Sequence, residues 1–165
     1  MRPLNLKQTQ NPADFIAMRD TELYLIELKS FAARASRNTS FAFSRLTKTQ
    51  TRGLIKASCY PHIHGIVICK VLTEMGFRVW ALRIRDFIDL VLKMGSEGRM
   101  SARWDTVQLY ATELFREKNG WNIDPIWKMK CEPRPYTNQD IKTLMWTLGK
   151  GRYIKAQKRR KVRKS

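Results

Sequence analysis

Apolar and polar positions divide the chain into short blocks. Thr21 to Lys29 (Thr-Glu-Leu-Tyr-Leu-Ile-Glu-Leu-Lys) is densely apolar between charged ends. That density fits a buried strand, although Leu and Glu also favour helix. Gly53 to Ser58 reads as one arm of a hairpin that turns near Cys59-Tyr60-Pro61. The other arm, His62-Ile-His-Gly-Ile-Val-Ile, is β-branched and apolar, which favours strand over helix. Pro61 fits at or just before its first residue, where no ladder donor is needed.

Helical spacing follows. Trp80, Ile84, Phe87, Ile88 and Val91 share one face of an amphipathic helix that Gly95 and Gly98 end. A second helix is expected from about Ser101 to Lys118, with Trp104, Val107, Ala111 and Leu114 inward and Asn119-Gly120 as its stop. Trp121 to Lys130 alternates in part and reads as an edge strand, with Pro125 inside it. A third helix begins near Thr137, which pairs with Asp140 as a capping box would. Ile141, Leu144, Met145 and Leu148 form its stripe, and Gly149 and Gly151 stop it.

These elements predict an α+β fold: a small antiparallel sheet carrying the His-Ile-His strand, packed by about three amphipathic helices. No internal repeat or Gly/Ser-rich linker divides the chain. A single domain over residues 14–149 is expected, between an extended arm (1–13) and a basic tail (150–165).

Charge changes the picture most. The 165 residues carry 32 Lys+Arg against 14 Asp+Glu, a formal net charge of +18. Such a balance predicts a polyanionic partner, nucleic acid above all, DNA or RNA. Two basic stretches supply the candidate contacts. Phe31 to Gln50 holds Arg34, Arg37, Arg45 and Lys48 and no acid, with Phe31, Phe41 and Phe43 interleaved. Those aromatics could stack bases or enter the core. The tail holds Lys150, Arg152, Lys155, Lys158, Arg159, Arg160, Lys161, Arg163 and Lys164, half of the net charge. No stretch is apolar enough to span a bilayer, and no helix with a broad basic face stands at either end, so no membrane partner is expected. The N-terminus lacks the apolar core of a secretory signal. Three cysteines without a framework pattern suit a reducing compartment, in a cell, a virion or a ribonucleoprotein particle.

The histidines His62 and His64 are the only two in the chain. Two apart on a strand, they would face one way and could hold one metal ion. Cys59 and Cys69 complete a zinc-type ligand set within eleven residues, but alternation puts Cys69 on the other strand face, which favours buried structural cysteines.

The run Tyr60-Pro-His-Ile-His followed by an apolar strand resembles the metal motif of the HUH single-strand endonucleases, a family that includes rolling-circle replication initiators. The resemblance implies a divalent metal, Mg²⁺ or Mn²⁺, held by His62 and His64 beside a tyrosine that attacks a DNA phosphate. It also makes Thr21 to Lys29 the first core strand. Candidate nucleophiles are Tyr110, Tyr136 and Tyr153. Tyr136 shares a helix face with Asp140, which would place a nucleophile beside a third metal ligand. Tyr153 lies among Lys150, Arg152 and Lys155. The helix Gln139 to Leu148 carries Thr143, Leu144 and Trp146 where the family's tyrosine and lysine are sought. The alternative is a structural nucleic-acid-binding protein without chemistry, such as a ribosomal component or a nucleocapsid subunit within a larger nucleoprotein assembly.

Overall fold

The structure, a computed structural model, describes residues 13–31, 40–73, 75–132 and 135–149. Strand β1 (Phe15–Arg19) and strand β2 (Glu22–Phe31) form a hairpin. Its turn residue Asp20 adopts a left-handed φ of 55°, which Asp tolerates better than most residues. After β3 (Ser40–Ala42) and a 3₁₀ turn at Phe43–Arg45 comes helix α1 (Lys48–Ser58). Strand β4 (Ile63–Thr73) and β5 (Gly76–Arg83) follow, then α2 (Ile84–Ser96). The remainder is short: β6 (Ser101–Arg103), α3 (Trp104–Gln108), β7 (Thr112–Leu114), β8 (Arg116–Glu117), β9 (Gly120–Trp121) and a 3₁₀ helix at Asp124–Lys128. A last helix, α4, covers residues 138–149.

Five strands form one sheet in the order β1-β2-β4-β5-β7. The fold is α+β, with a sheet that is antiparallel except where β2 and β4 run parallel. That exception has a local cause. Gly53 to Ser58 is not a hairpin arm but part of α1, and a helix between two neighbouring strands carries the chain back to make them parallel. Helix wins because Thr47 and Gln50 form a full capping box at its start. Thr51, Leu54, Ile55 and Ser58 then fall on one buried face.

One sheet face and the helices enclose the larger core. Phe41, Phe43, Phe87 and Leu54 are fully buried there, with Leu144, Met145 and Leu148 of α4. Trp104 stacks between Phe41 and Trp80, at ring distances of 5.6 and 5.5 Å. Phe31, Phe41 and Phe43 are therefore core residues and do not present faces to a nucleobase. The opposite sheet face carries a smaller core around Tyr24, Ile26, Ile66 and Val79, covered by Ile126 and Met129.

Three further expectations change. Trp80 lies on β5, and α2 starts only at Ile84. The segment Ser101 to Lys118 is not one helix. Its C-terminal half is recruited as β7, where Leu114 pairs with Val79 on the sheet edge, and tertiary pairing overrides helical spacing. Trp121 to Lys130 is mostly 3₁₀ rather than strand, with Pro125 in the first turn, where its missing N–H costs nothing. The helix expected near Thr137 is present: Thr137 Oγ1 accepts the Asp140 amide at 3.0 Å, and Asp140 accepts the Thr137 amide at 3.1 Å.

Candidate functional site

Strand β2 is apolar along most of its length, and its odd-numbered side chains point toward α1. Two of them are charged: Glu27, 1% exposed, and Lys29. Period two puts them on the same face, and Lys29 Nζ bonds Glu27 Oε1. The Gln50 amide closes the group. Its Nε2 donates to Glu27 Oε1, and its Oε1 lies 3.3 Å from Lys29 Nζ. Gln50 is also the capping-box residue of α1, its Oε1 accepting the Thr47 amide at 3.0 Å. One side chain thus fixes the helix start and the buried carboxylate together.

A second carboxylate, that of Asp14, is held at the amide of the residue after Glu27, Leu28. The β1–β2 register ends at Phe15 and Ile26, and Asp14 precedes it by one residue. Asp14 is exposed, and its Oδ2 accepts the Leu28 amide at 2.9 Å. Two carboxylates and an ammonium therefore gather where the positive end of α1 meets the sheet. Arg45 joins from beyond, its Nη2 donating to the Ser30 carbonyl at 2.7 Å and its guanidinium over the Phe31 ring.

The histidines lie elsewhere. Glu22 is five residues from Glu27 along β2 and of opposite parity. The two groups are about 17 Å apart along the strand and on opposite sheet faces. Only His64 is on β4. His62 sits in the preceding turn with a left-handed φ of 62°, so strand alternation does not govern the pair. The carboxylate that both imidazoles approach is Glu22, not Asp140: His62 Nδ1 is 3.3 Å from Oε1, and His64 Nε2 bonds Oε2. Lys130 Nζ lies 3.2 Å from the same carboxylate. The His64 bond, assisted by Lys130 and His62, holds Glu22 down to about 2 against a partial burial penalty.

His64 is buried, and its Nδ1 accepts the Cys131 amide at 2.9 Å. An acceptor at Nδ1 leaves the proton on Nε2, where it donates to Glu22. In this arrangement the ring has no lone pair left for a metal. Through its bond to the Cys131 amide, His64 pins the segment after the 3₁₀ helix to the sheet. Among the described residues no group of three His, Cys, Asp or Glu side chains is arranged to hold a metal ion.

Of the other candidates, the Asp140 carboxylate caps α4, and Tyr136 packs against the larger core. Arg45 and Lys48 are exposed near the Glu27 group. Arg34, Arg37, Tyr153 and the basic run from Lys150 to Lys164 lie outside the described residues. Burial pushes the Cys69 thiol up to about 12 and raises that of Cys131, which removes both as nucleophiles at neutral pH.

Sequence reading missed Asp14, Glu22, Glu27, Lys29 and Gln50. The available signal was a Glu and a Lys two apart inside an apolar strand, where a charge has no reason to be unless it is paired or used. Comparison with models of protein families finds no match, and comparison with curated proteins finds none.

Proposed function

We propose that the protein binds nucleic acid and hydrolyses its phosphodiester bonds, using a divalent cation, Mg²⁺ or Mn²⁺, held by Asp14 and Glu27. One observation carries the reading: a buried carboxylate, oriented by Lys29 and Gln50, with a second carboxylate, that of Asp14, on the amide of the adjoining residue Leu28. Mg²⁺ is characteristically held by one or two carboxylates, with waters and substrate phosphate completing its shell, so two protein ligands suffice. When bound, the cation polarises the phosphate and offsets the charge that develops on it. Lys29 then exchanges Glu27 for a phosphate oxygen. A water oxygen bonds to phosphorus as the ester oxygen leaves and takes up a proton, giving a phosphate monoester and a hydroxyl. Arg45, Lys48 and the charge of +18 hold the polyanion to the site.

The test is cleavage of labelled single- and double-stranded DNA and RNA with Mg²⁺, Mn²⁺ or chelator. Cation-dependent cleavage that is lost in Glu27→Gln and Asp14→Asn is expected. Cleavage indifferent to both substitutions overturns the assignment, and a product covalently joined to the protein would return the reaction to a tyrosine. The charge balance also suits a structural nucleic-acid-binding protein. On that reading all variants bind alike and cations change nothing.

A further inference from the structure

From Leu28 to Thr73 the chain contains eight Lys and Arg residues and no Asp or Glu. The structure gathers part of this excess into a line. Lys48, Arg52 and Lys56 are spaced i, i+4, i+8 along α1, and all three are exposed. Each step advances about 6 Å along the helix axis on one face. Arg45, also exposed, extends the line past the helix start. At that start lies Gln50, bonded to Glu27.

Several cations elsewhere are paired with acids, although Lys70, Lys93, Arg116, Lys118, Lys128 and Lys142, like this line, have no ion pair among the described residues, so what sets the line apart is its spacing on one helix face. The paired ones are Arg78 with Glu113, Arg83 with Asp86, Arg99 with Glu97 and Arg103 with Asp105. Among the described residues no ion pair involves Arg45, Lys48, Arg52 or Lys56. A helix lacking acids on its exposed face forgoes i,i+4 pairing at every turn. The Lys48 ammonium lies 3.0 Å from where a Cβ on Gly149 would stand, so α4 ends beside the head of the line.

We infer that the exposed ridge of α1 is the track on which the phosphate backbone of one nucleic-acid strand lies, leading it to the carboxylate pair. The assignment of the track's end rests on the proposed hydrolytic site; the track itself does not. Lys48, Arg52 and Lys56 each take one phosphate. The track reads charge and spacing, and it carries no base specificity.

Binding is measured in chelator, so that cleavage plays no part, by fluorescence anisotropy of labelled single- and double-stranded oligonucleotides over a range of KCl. Arg52→Ala with Lys56→Ala should lower the magnitude of the log–log salt slope by about 1.8 on duplex or about 1.4 on single strands. At 0.1 M salt that is a loss of about 60-fold or 25-fold. Arg116→Ala with Lys118→Ala removes two equally exposed cations from β8 and its turn and should leave the slope unchanged. Gln at 52 and 56 keeps the stems and should reproduce the loss. Equal losses from both pairs would mean diffuse attraction and would overturn the track, as would no loss at 52 and 56. Mn²⁺ binding by the same variants reads the carboxylate pair separately and should be unaltered. Its absence in the parent protein would sink the hydrolytic site and leave the track standing.

Discussion

Replacing Glu27 and Lys29 together by methionine should make the protein more stable while removing its cation site. The two side chains are 1% and 15% exposed, so both are largely stripped of water. Removing one partner of a buried pair costs about 3–5 kcal/mol, because the survivor stays desolvated. Lys29→Met should reach that range, leaving Glu27 beside Asp14 with only Gln50 to donate. Glu27→Met should cost less, about 2 kcal/mol, since Lys29 keeps some access to water. Replacing both removes both desolvation costs and fills the space with apolar volume, a change often favourable by about 1–4 kcal/mol. The Gln50 amide loses its acceptor in exchange, which takes back about 1 kcal/mol. The double variant should therefore be more stable by up to about 3 kcal/mol, a rise in melting temperature of up to roughly 12 °C for a chain of this size. Urea titration followed by tryptophan fluorescence, with Mn²⁺ titration alongside, measures both effects. A double variant destabilised by more than about 2 kcal/mol would show the pair to be a structural fastener, and the case for a functional carboxylate there would fail.

Other outcomes follow from single features. Glu22 is held at about 2, below its ordinary 4.5, so its contribution is complete above 4.5 and is lost as pH falls from 4.5 toward 2. Urea midpoints at pH 5 and 2.5 should differ less in Glu22→Gln than in the parent; an unchanged difference would refute the linkage. Thr47→Ala removes the acceptor of the Gln50 amide and should cost about 1 kcal/mol by thermal melting. Phe41→Ala, at a fully buried site between Trp104 and Phe87, should cost about 3–5 kcal/mol. Deleting residues 150–165 removes nine cations and almost no apolar surface, so the salt slope should fall by up to about 8 on duplex with little change in melting.

The elements that could be read from sequence were those whose signal is local. The α4 stripe and its Thr137–Asp140 cap involve neighbours in the chain, and the His64 strand is rich in β-branched residues, Ile66, Val67, Ile68 and Val71 among them. The failures were decided at a distance. Residues near Leu114 carry a helical stripe, but Val79 offers a free sheet edge. Gly53 to Ser58 reads as strand when taken alone, and becomes helix once Thr47 and Gln50 are counted. The histidines drew attention because they are rare, yet their chemistry is settled by Cys131, 67 residues from His64. Asp14 and Glu27 are ordinary in sequence and come near each other only through the β1–β2 hairpin, where Asp14 accepts the Leu28 amide.

That pair joins parts of the fold that differ in permanence. Glu27 belongs to β2, which is flanked on both sides and backed by the larger core. Asp14 stands at the entrance of β1, a five-residue edge strand with one neighbour, whose Phe15, Ile16 and Met18 are 55, 62 and 76% exposed. Amide protons of β4 should exchange only through global unfolding, whereas those of β1, and those of β2 that bond to it, exchange through local opening at much lower cost. The two ligands are then together only while β1 is docked. On warming, Mn²⁺ affinity should decline while tryptophan fluorescence is still native, so the working temperature of the site is set by the fraying of one outer strand and not by the melting of the domain.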